Sequence, residues 1–327
     1  MSRLYFSRRL KDLAQRSTFV DRGLLVAEAG LLGAIVATTR GMGVERASAV
    51  GGWICRQIGP RTRKHAHVLD NLRIVFPEAT EEWIRRTAIE VWGQIGRVLA
   101  EYPHLPTFAD SGRIELVAKL DLDRLRKSKV GYVFAAMHQA NWNLFSIGGH
   151  LAGFPLAVVN RRQTNPMVES LVARFRDRMP CEILDLSDVP RKMIEALQRG
   201  RSVGLFIDHR IDAGEPVTLF GHPANTTTVP ARIAAKLGTG LIPARLERLP
   251  GVRFRLTVEE PIHASPGATD HRQAALAMTE AIHRRFEEWV RLAPADWCCV
   301  KRRWEKDLIE QIRHRNRPGK TAPARAA

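Results

Sequence analysis

The sequence has little cysteine: four residues in 327, Cys55, Cys181, Cys298 and Cys299. None forms a CxxC pair or a metal-ligand spacing, so neither a disulfide scaffold nor a zinc module is indicated. The pattern fits reduced thiols in a cytosolic setting. Acidic residues are also scarce, 34 Asp and Glu against 51 Lys and Arg, which leaves a net charge of +17 and a pI near 10.6. A chain this basic seeks acidic partners: anionic lipid, an acidic carrier protein or nucleic acid. The last has no motif behind it, since there is no zinc-finger spacing, no basic region followed by heptads and no aromatic RNA-binding strand. There is no internal repeat and no glycine-rich phosphate loop. Gly148-Gly149 is too little for a dinucleotide site.

Long apolar runs are absent too, with one partial exception. GLLVAEAGLLGAIVATT, residues 23–39, lies between Arg22 and Arg40. As a helix it reaches about 25 Å, short of a hydrocarbon core of roughly 30 Å. Glu28 inside it would cost roughly 2.5–3.5 kcal/mol at a bilayer centre. The segment therefore reads as a membrane-associating helix or a soluble core helix, with a full span marginal. Residues 1–22 mix arginines with Leu4, Tyr5, Phe6 and Leu10, a composition suited to an anionic surface. The organisation expected is a basic apolar N-terminal segment (1–43), a main domain (44–312) and a basic disordered tail (313–327).

What remains is enough for a substantial core, with 45% hydrophobic residues. Residues 44–104 read as a helical layer, with Thr80 opening one helix. From Ser111 onward strand and helix patterns alternate. Strands are expected at 130–137, 156–160, 182–185, 203–208, 241–247 and 253–259, and helices at 165–179, 189–198, 228–237, 269–292 and 302–313. This predicts an α/β fold with a mixed central sheet flanked by helices.

Four stretches carry candidate chemistry. In VGYVFAAMHQANWNLFSIGG, residues 130–149, an apolar strand ends at His138, and a helix follows that Asn141 can cap. The carboxyl end of a strand is where ligands collect in open α/β sheets. His138 there is either a general base or a loop histidine that bonds backbone. NRRQTNP, residues 160–166, places Arg161 at the same sheet edge, either to hold a phosphate or oxyanion or as a solvated charge. Around it Arg162, Arg174, Arg176 and Arg178 favour an anionic ligand. In residues 204–251, Asp208, His209 and Arg210 close a strand, Phe220 to Ala224 form a tight loop, and Thr226 to Thr228 precede a helix N-terminus suited to an anion. PADWCCVKRRWEKD, residues 294–307, offers Trp297, Arg302, Arg303 and Trp304 for helix packing or an interfacial surface.

In this order, NLRIVFPE, HQANWN, RRQTNP, FGHPA…PARIA and PADW…KRRW resemble the lipid A biosynthesis lauroyl/myristoyl acyltransferase family over most of the chain. The resemblance implies a glycerolipid acyltransferase-like fold at the cytoplasmic face of the inner membrane. It implies O-acyl transfer from acyl carrier protein to a hydroxyl of a phosphorylated lipid A precursor, with no metal and no organic cofactor. It also makes His138 the base, Asn143 its orienter, and Arg161, Asp208, Arg210 and Arg232 the substrate contacts. The family motif is H-x4-D/E, and here the acid position holds Asn143. An amide orients an imidazole but cannot stabilise imidazolium by charge. An acid-to-amide change of that kind costs roughly 10⁴ in kcat in a serine-protease triad. Asp208 is the first candidate for a substitute acid. Two alternatives stay open: acylation of another glycolipid or a lysophospholipid, and a weak or inactive lipid-binding member.

Overall fold

The computed structural model describes residues 18–127, 131–160, 162–185, 188–265 and 270–315. Its centre is a seven-stranded sheet in the order β1-β9-β8-β2-β5-β3-β4. The strands are β1 (Ile114–Ala118), β2 (Val133–Ala136), β3 (Leu156–Val159), β4 (Cys181–Leu184), β5 (Ser202–Phe206), β8 (Leu241–Leu249) and β9 (Arg253–Val258). All neighbours pair in parallel except β8 with β9. The expected mixed sheet is therefore present, and it is mostly parallel. A separate antiparallel ribbon joins β6 (Glu215–Leu219) to β7 (His222–Thr226). Of the tight loop expected over Phe220 to Ala224, only Phe220 (φ 50°) and Gly221 (φ 75°) form the turn, as the two-residue turn of a twisted hairpin requires; His222 to Ala224 are paired in β7.

Strand β2 is short, and every residue in it is buried. It lies between β8 and β5, so both faces must be apolar. Alternation then splits its side chains between two cores. Val133 and Ala135 face one core, with Trp289 and Trp304; Phe134 and Ala136 face the other, with Phe145, Phe154 and Phe254.

Eleven α-helices are seen among the described residues. The first is α1 (Thr18–Met42), and no described helix, α1 included, is long and apolar enough to cross a membrane. Helix α1 packs on α7 (Pro166–Arg176). Asn165 caps α7 through its side-chain oxygen, while its amide donates to Leu25 O and to Glu28 Oε2 at 2.9 and 3.0 Å. The acid that interrupts the apolar segment thus meets a polar partner inside the protein.

The helical layer comprises α2 (Val44–Ile58), α3 (His65–Val75) and α4 (Glu81–Glu101), the last capped by Thr80 as expected. Helices α2 and α4 cross closely on glycine. A Cβ on Gly96 would lie 2.1 Å from Gly51 O. Next come α5 (Leu122–Arg126) and α6 (Phe145–Leu151). Gly148 and Gly149 let α6 sit on the sheet, since a Cβ at either would strike Leu256 or Leu156. They are packing residues. The remaining helices are α8 (Val189–Gln198), α9 (Val229–Leu237), α10 (His271–Leu292) and α11 (Lys306–Arg315). Residues 1–17 and 316–327, which hold the basic N-terminal stretch and most of the tail, lie outside the described residues.

Candidate active site

His138 follows β2 by two residues, and Asp208 follows β5 by two. These strands are parallel neighbours in register, Ala136 beside Phe206. The same offset past the same sheet edge brings the two side chains together. His138 Nδ1 lies 2.7 Å from Asp208 Oδ1. Trp297 Nε1 donates to Asp208 Oδ2 at 3.2 Å. Burial opposes ionisation of Asp208, but the His138 and His209 imidazoles and the His138 hydrogen bond outweigh it, holding the carboxyl well below its usual range. An ionised carboxylate only accepts, so the Nδ1 proton of His138 points at it. Nε2 then carries the lone pair.

His138 stands at one wall of a cavity of about 170 Å³. Its apolar walls include Phe145, Phe206, Val158 and Ile183, and its polar lining includes Asn143, Asn160 and Arg176. Against His138, the Phe206 ring lies at 4.7 Å, Trp142 at 5.5 Å and His209 in a stack at 4.0 Å between centroids. Burial is the largest influence on His209 and lowers it to about 4, with Asp208 opposing. The stacked partner is therefore neutral near pH 7.

The loop after His138 is strained and firmly held. Ala140 has φ 49°, a region a side-chain-bearing residue adopts only when its surroundings insist. Ala140 N donates to Asp296 O, Cys298 N donates to His138 O at 2.8 Å, and Gln139 bridges Trp297. The PADW segment is thus zipped to the histidine loop. Asn71, fully buried on α3, fixes the next turn by donating to Cys299 O and Lys301 O and accepting from Arg303 N. This explains why NLRIVFPE and PADW…KRRW, far apart in sequence, belong to one site.

Several expected placements differ. Asn143 does not orient His138: it lines the cavity, and its amide donates to Asn141 Oδ1 at 3.2 Å. Asp208 occupies the imidazole nitrogen instead, because register places it there. Asn141 does not cap α6. Its amide donates to Glu101 Oε2 at 2.8 Å, and a short 3-10 turn, Trp142–Leu144, precedes the helix. Arg161 lies outside the described residues. Among the described residues, Arg176 is the arginine in the cavity wall, paired with Glu169. Arg210 binds Asp212 and Glu305, both at 2.8 Å, on the far side of Asp208. Arg232 is half exposed and pairs with Glu215, which also holds Arg272, away from the cavity lining. Trp297, expected to pack a helix or line an interfacial surface, instead donates to Asp208, and Glu101 carries no sequence signal for its place beside the histidine loop. Glu101 sits in an ordinary helical pattern, and only its partners reveal its position.

His138, Asp208 and His209 have donor atoms within 4.8 Å of one another, but each already has a non-metal role: the imidazole–carboxylate bond and the ring stack account for all three. An imidazole bonded to a buried carboxylate through one nitrogen and lining a cavity of apolar and polar side chains can act as a general base.

A family model described as bacterial lipid A biosynthesis acyltransferase matches residues 22–306, and the chain belongs to that family. It is similar to the phosphatidylinositol mannoside acyltransferase of Mycobacterium tuberculosis (strain CDC 1551 / Oshkosh), 27% identical over 255 residues, covering 73% of this chain and 76% of that protein. It is also similar to the lipid A biosynthesis lauroyltransferase of Escherichia coli (strain K12), 25% identical over 246 residues, covering 72% and 77%. Among solved structures, the 1-acyl-sn-glycerophosphate (LPA) acyltransferase PlsC of Thermotoga maritima aligns with a TM-score of 0.36 at 15% identity, over 77% of this chain and 100% of that one.

Proposed function

We propose that the protein transfers a fatty acyl group from acyl carrier protein to a hydroxyl of a lipid A precursor. The observation that carries the chemistry is the His138–Asp208 pair, with His138 in the wall of a cavity that Phe145, Phe206, Val158 and Ile183 also line. His138 Nε2 takes the proton of the acceptor hydroxyl as its oxygen attacks the thioester carbonyl. Asp208 stabilises the imidazolium that forms. The tetrahedral oxyanion collapses with cleavage of the C–S bond, and the proton passes from imidazolium to the leaving thiolate. Asn143 and Arg176 face the same space and can position substrate. Asp208 supplies the charge that the H-x4-D/E motif lacks here, which removes the reason for reading the chain as inactive.

We place the protein at the cytoplasmic face of the inner membrane, attached at the interface. Support comes from exposed apolar residues on the first two helices, Val26, Leu31 and Ile35 on α1 and Val50, Ile54 and Ile58 at four-residue spacing on α2, beside Trp53. The charge of +17 adds attraction to anionic lipid.

The test is acyl transfer from labelled acyl carrier protein to a lipid A precursor by wild type and His138→Ala. Loss of at least a thousandfold in kcat is expected for the variant. Equal turnover would remove His138 as the base. A second reading is favoured by the similarity to the mycobacterial mannoside acyltransferases: the acceptor is a different glycolipid. Lipid mass spectrometry with and without the gene separates the two, since only the first predicts under-acylated lipid A.

A further inference from the structure

The stacked imidazoles of His138 and His209 divide two unlike spaces. His138 faces the apolar-walled cavity. His209 lines a narrow crevice with Asp208, Arg210, Lys301, Arg302 and Arg303. Four cationic side chains converge there, and the one acid in the lining, Asp208, is already engaged by His138 and Trp297.

These cations are largely unneutralised. Arg303 is 2% exposed, and its partners are the neutral Asn225 carbonyl and Thr226 hydroxyl. Its Nε is buried without a partner, as are Nε and Nη1 of Arg210. The Arg303 guanidinium hydrogen-bonds only to dipoles, and the one carboxylate whose charge reaches it, Asp208, is hydrogen-bonded to His138 and Trp297; a buried guanidinium so placed is costly unless a further anion completes it. Lys301 and Arg302, at the rim, have no carboxylate within ion-pair distance among the described residues. Asp212 and Glu305 answer Arg210 alone. The rim is also preorganised, because Asn71 fixes the backbone at 299, 301 and 303. Fixed cations with unmet donors around a cleft are the means by which proteins hold phosphate oxygens.

We infer that the crevice formed by Arg210, Lys301, Arg302 and Arg303 is a phosphate-binding subsite that docks a phosphate-bearing substrate beside the catalytic imidazole, opposite the acyl-side cavity. It rests on the acyl-transfer reading for its role but not for its binding chemistry. The crevice itself holds about 10 Å³, so the phosphate lies against its mouth, on Lys301 and Arg302, with the buried guanidiniums behind. The phosphate belongs either to the acceptor lipid or to the pantetheine arm of the donor, and the two make the same contacts.

The test uses the full chain and inorganic phosphate as the probe, titrated at low salt by calorimetry. Binding by wild type is expected to weaken at least fivefold in Lys301→Gln/Arg302→Gln and to persist in the charge-preserving Lys301→Arg/Arg302→Lys, with thermal melting unchanged in both. Undetectable binding by wild type, or equal binding by the charge-neutral variant, would overturn the subsite whether or not the protein transfers acyl groups. Kinetics then identify the source. A rise in KM for the acceptor alone assigns the phosphate to the acceptor lipid. A rise for the donor alone assigns it to the pantetheine arm. Loss of phosphate binding with neither KM changed would mark an adventitious ion only and overturn the docking role.

Discussion

Glu101 and Asp208 are both buried carboxylates that hold the histidine loop, and they are satisfied in opposite ways. Glu101 receives two bonds from Arg248, at 2.7 and 3.0 Å, one from Ser48 at 2.6 Å and one from Asn141 at 2.8 Å. Its charge is cancelled and its lone pairs are filled. Asp208 is held by the His138 imidazole and backbone and by the Trp297 indole N–H, and among the described residues no arginine forms an ion pair with it. Its charge is left for whatever the imidazole becomes. A saturated carboxylate builds a site, whereas an unsaturated one can respond to a proton arriving on its neighbour.

The largest effect expected from this contrast is at Asp208. Asp208→Asn keeps the shape and removes the charge, and an amide can present the wrong tautomer to Nδ1. Loss in kcat of about 10³–10⁴ is expected, by analogy with the acid of a serine-protease triad, with the folded structure retained by circular dichroism. Turnover within tenfold of wild type would mean that the imidazolium is stabilised elsewhere, and the contrast with Glu101 would lose its meaning.

Glu101→Gln should show the converse. It removes the carboxylate that forms the ion pair with buried Arg248, a change that typically destabilises by about 3–5 kcal/mol. Urea denaturation measures this. In the fraction that remains folded, kcat is expected to fall less than tenfold, since Glu101 touches Asn141 and not His138. A kinetic loss as large as that of Asp208→Asn, with stability intact, would place Glu101 in the chemistry.

The two carboxylates were not equally visible in the sequence. Asp208 ends an apolar strand, and that position alone makes it a candidate acid. Glu101 ends a helix of ordinary amphipathic pattern, and its role comes from contacts with residues 53 before and 147 after it, which no local signal encodes. The same distinction runs through the fold. Buried parallel strands such as β2 and β5 are continuous apolar runs and were legible to within a few residues. Strand β1 (IELVA) is a short run of five residues that carries Glu115 and gives little signal, and β6 and β7 give less because Pro216, Pro223 and Gly221 resemble a loop. Both strands of that ribbon are edges, where proline is tolerated. Motif spacing points to Asn143 as the orienter, but spacing along a chain does not include strand register, and register delivers Asp208 first.

The smallest effect follows from that substitution of partners. Asn143→Asp restores the acid of the family motif. If Asp208 already receives the Nδ1 proton, a second carboxylate finds no free imidazole N–H on that side. It would also lose the amide donor to Asn141 Oδ1 and set a charged oxygen against an amide oxygen. A change in kcat of less than tenfold in either direction, under about 1.4 kcal/mol of barrier, is therefore expected in single-turnover assays. A gain of a hundredfold would show that the imidazolium of the natural protein is under-stabilised, and Asp208 would become a structural carboxylate like Glu101.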